Sequence, residues 1–427
     1  MTNTELLARR ERLLGRNMST FYTDPVHLVR GEGAWLWDAD GRRYLDCYNN
    51  VPHVGHCHPR VVEAIARQAG MLNTHTRYLH EGILDYVERL TATLAPPLSS
   101  AIMTCTGSEA NDIALRMVQA MTGNRGMIAT DHTYHGNTSA VSQLSTRMPP
   151  LGGFTGHVRH VPAPSSSHPL DGLTGAAYAH AFAEKVKAAI DDLQATEHGF
   201  GGIILCPFFA NEGFPDLPEG FLDGAIAAVR AAGGIVIADE VQPGFGRTGT
   251  HFWGHQKADF VPDILTLGKP MANGHPVGSV VTSPDILNTF RKNFRYFNTF
   301  GGNPVSCAAA MAVLDVIADE GLQAHALTVG TYAQAGLARL AQKHDCIGDV
   351  RGSGLFFGAE LVKDRKTMEP DPQLATRVIN AMREKGVLMG KIGVGECTTK
   401  IRPPMCFDRA QADLMLETLA DVLAAVA

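Results

Sequence analysis

Two charged residues, Asp239 and Lys269, each close a short apolar run. Ile235-Val236-Ile237-Ala238 is rich in β-branched residues and follows Gly233-Gly234, as expected of a strand covered on both faces of a parallel sheet, and Asp239 ends it. The run 264–267, after Pro262-Asp263, leads into Gly268-Lys269-Pro270. Open α/β sheets receive ligands at the carboxyl ends of their strands, so an acid and an amine at two such ends outline a site. The pair suits pyridoxal 5′-phosphate. An amine holds the cofactor's aldehyde as a Schiff base, and a carboxylate keeps its ring nitrogen protonated so that the ring draws electrons from a substrate carbon. A lone acid after a strand is otherwise a turn or cap, and a lysine before proline is otherwise solvated. Buried strand ends, however, rarely hold ions without a partner.

The elements that must position this pair follow from periodicity and punctuation. Ala34-Trp35-Leu36-Trp37 and Arg43-Tyr44-Leu45-Asp46 flank Asp38-Ala39-Asp40-Gly41, a hairpin pattern. Residues 61–71 and 83–94 have helical apolar spacing, with Arg77 in the segment between them. Thr104-Cys105-Thr106-Gly107-Ser108-Glu109-Ala110-Asn111 opens a helix, and backbone N–H groups at such a terminus suit a phosphate. A short strand at 126–129 precedes Tyr134-His135-Gly136, and the Pro-, Gly- and Ser-rich stretch 149–169 reads as a long loop. A strand at 203–205 and a helix at 221–231 lead to the central stretch, and a long helix is expected at 306–318. Helical patterns at 324–343, 375–385 and 410–426, alternating with a strand at 354–360, describe a small α/β C-terminal unit.

Composition sets the outer limits. The chain has 427 residues, 45% hydrophobic and 19% charged, with a net charge of -6, which leaves no basic footprint for nucleic acid or anionic membrane. The first residues are charged, have no apolar core and read as an amphipathic helix, so a cytoplasmic protein is expected. Eight cysteines occur singly with no C-x-x-C pair, which favours reduced thiols over disulfides or structural zinc. His53, His56, Cys57 and His58 invite a metal reading, but adjacent residues of an extended chain point to opposite faces and no second ligand cluster follows. Gly244-Phe245-Gly246-Arg247-Thr248-Gly249 spells a dinucleotide fingerprint, yet Asp239 to Pro243 intervene after the strand and no good helix former follows.

The segments ADEVQPGFGRTG (238–249) and LTLGKPMANGHPVG (265–278) resemble the signature of class III pyridoxal-phosphate aminotransferases and their lyase relatives, of fold type I, and the resemblance extends over roughly residues 20–425. It implies an α/β fold: a large domain with a mostly parallel seven-stranded sheet between helices, and a small α/β domain from the N- and C-terminal segments. The implied division is 1–60, 61–310 and 311–427. By the same resemblance Lys269 is the Schiff-base lysine, Asp239 the ring-nitrogen partner, Gln242 a donor to the ring hydroxyl and Val241 the apolar contact on one ring face. Gly107 and Ser108 hold the cofactor phosphate, and Tyr134 stacks on the ring. Thr299, in Thr-Phe-Gly-Gly-Asn-Pro, reaches the partner's cofactor phosphate, so the implied assembly is a homodimer with interfacial sites, either alone or paired into a tetramer.

Two departures narrow the reading. Aminotransferases of this class carry a carboxylate-gripping arginine three residues before Pro-Pro, where this chain has Lys400. Counting back from Asp239, the glutamates that accompany that arginine are replaced by Cys206 and Asn211, with Glu212 one place away. Lysine does not reproduce bidentate carboxylate capture. NNVPHVGHCHP, NTFGGNPVSCA and KIRPPMCF are most similar to the ethanolamine-phosphate and phosphohydroxylysine phospho-lyases. The implied substrate is a small phosphorylated amine, its phosphate held by Arg77 and Lys400 with support from Arg402, Asn50 and His53. The alternative is an ω-aminotransferase passing an amino group to pyruvate or glyoxylate.

Overall fold

The computed structural model describes residues 2–16 and 18–426. Helix α1 (Asn3–Leu14) starts at a capping box between Thr2 and Glu5 and buries none of its side chains. The expected hairpin follows: β1 (Leu28–Glu32), β2 (Trp35–Asp38) and β3 (Arg43–Asp46) run antiparallel, and Asp38 secures the turn by accepting from the amides of Asp40 and Arg42.

The central layer is a sheet of seven strands, β4 (Ser100–Thr104), β5 (Gly126–Thr130), β6 (Val158–Val161), β7 (Phe200–Leu205), β8 (Ile235–Asp239), β9 (Ile264–Leu267) and β10 (Gly278–Thr282). Their order is β4-β10-β9-β8-β7-β5-β6. Only β10 runs antiparallel to its neighbours; every other pair is parallel. The inner strands are buried along almost their whole length, which explains why they read as continuous apolar runs. Asp239 pairs in register with Thr266, so the ends of β8 and β9 lie side by side. The stretch 149–169 is not wholly loop. Val158–Val161 forms the edge strand β6, parallel to β5, a four-residue run that its Gly- and Pro-rich flanks conceal.

Helices cover both faces: α2 (Pro59–Ala69), α3 (Glu81–Thr91), α4 (Gly107–Thr122), α5 (Gly175–Gln194), α6 (Asp223–Ala231), the single turn α7 (Gly254–Lys257), α8 (Pro284–Asn293) and α9 (Pro304–Asp319). Helix α9 begins at an Asn303 cap, is buried nearly all round and receives α2 and α3. After Gly321 come α10 (Leu322–Ala341), β11 (Ile347–Ser353), β12 (Phe356–Asp364), β13 (Glu369–Pro370), α11 (Pro372–Glu384), β14 (Val387–Leu388), β15 (Gly390–Ile392), β16 (Thr398–Lys400) and α12 (Arg409–Val426). The C-terminal sheet runs β11-β12-β16-β15, with β13 on β12, whereas β14 leaves it to pair in parallel with β3 of the N-terminal hairpin. Among the described residues no helix is long and apolar enough to cross a membrane.

Candidate active site

A cavity of about 300 Å³ opens at the carboxyl ends of β8 and β9, and Asp239 and Lys269 both line it. Asp239 is held from behind. His135 Nδ1 lies 2.7 Å from its Oδ2, Asn111 Nδ2 donates to the same oxygen at 3.0 Å, and the Val241 amide donates to Oδ1 at 3.0 Å. Thr266 of β9 in turn fixes Asn111 by donating to its Oδ1 at 2.7 Å. Burial alone would raise the carboxyl's pKa; the His135 contact and the other donors outweigh it and hold Asp239 below the usual carboxylate range. Lys269 follows Gly268 and is open to the cavity it lines. Its surroundings, then the nearby Arg402, push its ammonium below the usual lysine value, against the opposing pull of Asp239.

One wall is the N-terminus of α4, where Thr106 caps by accepting from the Glu109 amide and the leading N–H groups of Gly107 and Ser108 have no intrahelical partner. The backbone here is too close for side chains. A Cβ on Gly107 would stand 2.8 Å from Val241 Cγ2, and one on Gly136, at φ +139°, would stand 2.4 Å from Ser108 Oγ. Tyr134 and Val241 supply an aromatic and an aliphatic flank to the cavity. Amine, strand-end carboxylate, helix terminus and apolar flanks together match the chemistry of pyridoxal 5′-phosphate.

Behind Gln242, which lines the cavity, lies a buried cationic cluster that does not itself line it. Lys400 and Arg402, from the end of β16 and just beyond it, are buried, and both donate to Gln242 Oε1, Lys400 at 3.1 Å. Gln242 passes the polarity on, donating to Asn211 Oδ1 at 3.3 Å, and Asn211 donates to the Tyr134 carbonyl at 3.4 Å. Among the described residues no carboxylate lies within salt-bridge distance of Lys269, Lys400 or Arg402. Burial, then Arg402, Lys269 and Arg147, push Lys400 far below the usual lysine value, and burial lowers Arg402 to about 10.

Some expected site residues fall elsewhere. His53 is buried and does not line the cavity, its Nε2 2.8 Å from the Phe245 carbonyl and its Nδ1 accepting from Arg247 at 3.1 Å, so both ring nitrogens are engaged within the fold. Burial and the Arg247 charge lower its pKa and keep it neutral. Arg77 does not line the cavity of its own chain; it is exposed, its guanidinium 3.8 Å over the ring of Phe297. Thr299 is likewise exposed and outside that cavity. Asn50 is buried beside Val51, which lines the cavity, and its Nδ2 has no partner among the described residues. Glu212 turns away from Lys400 to accept from Thr130 at 2.6 Å. His56 and His58 diverge to Asp46 and Glu320.

Three residues that the motif reading left without a role matter to this geometry. Asn111 and His135 hold Asp239, and each stands inside a motif already quoted, which is the signal that could have found them. Arg247, inside the false dinucleotide fingerprint, donates to the carbonyls of Leu355 and Pro403 at 3.0 and 2.6 Å and so ties down the chain just after Arg402.

Comparison with known proteins gives one family and two named activities within it. A family model described as aminotransferase class-III matches residues 18–423. The chain is 41% identical to a Drosophila melanogaster protein named alanine–glyoxylate aminotransferase 2-like, over all of this chain and 88% of that one. It is 38% identical to the Caenorhabditis elegans ethanolamine-phosphate phospho-lyase homolog 1, over 95% of this chain and 90% of that one. Among solved structures, a phospholyase from Arthrobacter in complex with phosphoethanolamine superposes with a TM-score of 0.95 at 42% identity, covering 99% of this chain and 100% of that chain.

Proposed function

The chain belongs to the class-III aminotransferase family, pyridoxal-phosphate enzymes of fold type I, and within it we propose a phospho-lyase that eliminates phosphate from a phosphorylated amino alcohol to give an aldehyde, ammonia and phosphate. The carrying observation is the pair Lys400 and Arg402, two buried side chains sharing one neutral amide oxygen with no carboxylate within salt-bridge distance among the described residues. Buried charges are ordinarily paired. A phosphate dianion supplies the missing charge, and each charge-assisted hydrogen bond it receives contributes about 1.5–3 kcal/mol. The Arthrobacter and nematode relatives support the choice of substrate class, which covers O-phosphoethanolamine and 5-phosphohydroxylysine.

The bound cofactor supplies an electron sink for the substrate carbon that bears the amine. In this reading Lys269 tethers it and, with its pKa lowered, takes the proton from that carbon. Asp239, kept ionised by His135 and Asn111, would accept the hydrogen bond of the ring N–H. Gly107 and Ser108 would hold the cofactor phosphate, Tyr134 and Val241 would contact its ring, and Gln242 would donate to its hydroxyl. In this reading Lys400 and Arg402 hold the substrate phosphate as it departs, and Asn50, whose Nδ2 has no partner among the described residues, would donate to the substrate. A homodimer completes the site. Met71, Tyr78, Leu79 and Phe300, in the segments that carry Arg77 and Thr299, are exposed apolar side chains, with Leu79 99% exposed, and exposed apolar surface of this kind favours a protein contact there. Across that contact Arg77 and Thr299 serve the partner's cavity.

The fly relative's name favours a second reading, an ω-aminotransferase. One experiment separates the two. Purified protein given O-phosphoethanolamine and no keto acid releases phosphate, ammonia and acetaldehyde in equal amounts over many turnovers. A single turnover that stops and is restarted by pyruvate selects the aminotransferase instead.

A further inference from the structure

Gln242 lines the cavity, and the two cations assigned to the substrate phosphate lie behind it. Its amide can point only one way. Lysine and arginine carry donors and no acceptors, so the atom that faces Lys400 Nζ at 3.1 Å and the Arg402 guanidinium is Oε1, and Nε2 faces away from them. The far side agrees. The Tyr134 carbonyl only accepts, which turns Asn211 Nδ2 to it at 3.4 Å and leaves Asn211 Oδ1 to take one Nε2 proton of Gln242 at 3.3 Å. The second Nε2 proton has no acceptor among the described residues, and it belongs to the side chain that would donate to the cofactor's ring hydroxyl.

The cations themselves are fixed. Lys400 pairs with Gly390 across β16 and β15, and Arg402 donates its backbone N–H to the Cys47 carbonyl at 2.7 Å. Both charges stand over the buried Phe356 ring, Lys400 at 5.7 Å and Arg402 at 5.3 Å from its centre. An anion that passes from the cavity to this pair therefore has to replace Gln242 Oε1. The exchange is favourable, because an anionic oxygen is a stronger acceptor for charged donors than a neutral amide oxygen is. It also removes what directs Nε2, since that direction is set by the hold on Oε1.

We propose that Gln242 couples the two sites: Lys400 and Arg402 aim its amide at the cofactor's ring hydroxyl, and a phosphate group that takes over these cations releases the amide and withdraws that hydrogen bond. The ring thus registers the arrival of the substrate phosphate, and its departure resets Gln242. This rests on the reading of Lys400 and Arg402 as the phosphate site and is independent of whether the reaction is elimination or transamination.

The test titrates inorganic phosphate into the holoenzyme at one neutral pH, against chloride of equal ionic strength, and follows both the near-visible absorption of the bound cofactor and the Tm. Desalting afterwards checks that the cofactor has stayed on the protein. In the wild type both readouts are expected to change and to half-saturate at the same phosphate concentration. Gln242→Leu, with neither acceptor nor donor, is expected to keep the rise in Tm and lose the absorption change. Gln242→Glu puts a carboxylate on the two cations and is expected to lose both responses, with a Tm above wild type before phosphate is added. Should Gln242→Leu fail to fold, Gln242→Met, closer to glutamine in length, takes its place with the same expectation. The coupling is overturned by an absorption change that persists in the Leu or Met variant, by one that comes with loss of cofactor on desalting, or by none in a wild type whose Tm rises; each of these leaves the phosphate site standing. A wild-type response to phosphate in Gln242→Glu also overturns it. No rise of Tm in the wild type overturns the coupling and the phosphate site together.

Discussion

Two buried guanidinium groups of the C-terminal part have opposite surroundings. Arg351, on β11, meets Asp349 at 3.0 Å and also pairs with Glu360, and these carboxylates raise its pKa in spite of burial. Arg402, just beyond β16, meets a neutral amide and a backbone carbonyl, and burial lowers it to about 10. The first arrangement is complete within the chain. The second, like its neighbour Lys400, has no carboxylate within salt-bridge distance among the described residues, so an anion that reached the pair would be strongly attracted. In the proposed reading, the difference separates a cation that holds the fold from one that meets a ligand.

The largest effect should come from the amine that lies among these cations. Lys269→Ala is expected to lower turnover by roughly three orders of magnitude or more, since tether and base are lost together, while circular dichroism and Tm stay near wild type. Phosphate release within tenfold of wild type would remove Lys269 from the mechanism.

The comparison itself is broken by matched substitutions. Arg351→Gln leaves Glu360 unpaired and should destabilise by about 3–5 kcal/mol in denaturant titrations, with kcat/KM of the remaining folded protein little changed. Arg402→Gln should do the reverse, lowering kcat/KM for a phosphorylated amine by roughly one to two orders of magnitude with stability held or improved. Equal losses of stability in both variants would erase the distinction.

Arg77 sharpens it from outside the chain's own cavity. Arg77→Ala should lower kcat/KM about tenfold, one charge-assisted contact's worth. Mixing Arg77→Ala chains with Lys269→Ala chains should then restore activity, because a mixed dimer contains one site with both residues intact. No gain on mixing places Arg77 within its own site or outside both.

The smallest effect is on stability against pH. The folded value of Lys400 lies below its unfolded value, so the unfolded chain binds more protons between the two, and stability rises with pH across that window up to about 10.4. Lys400→Met should flatten this rise. Inorganic phosphate should raise the Tm of the wild type at neutral pH and raise that of Lys400→Met less, as thermal melts would show.

Much of this was legible in the chain alone, because it depends on neighbours in sequence. The runs ending at Asp239 and Lys269, the capped start of α4 at Gly107 and the turn at Asp38 are each specified within a few residues by apolar patterning, glycine and side-chain capping. The strand β6 escaped because four residues between Gly- and Pro-rich flanks carry too little pattern. Only the tertiary structure decided where side chains at loop ends point. It turned His53 onto Arg247, sent Arg77 outward over Phe297 and faced Glu212 to Thr130 instead of Lys400. It also brought Gln242 against Lys400 and Arg402 across some 160 residues of chain. Local periodicity fixes which face of a strand or helix is apolar, whereas the direction of a polar side chain beyond a strand end is set by whichever donors and acceptors packing places there, and those come from distant segments.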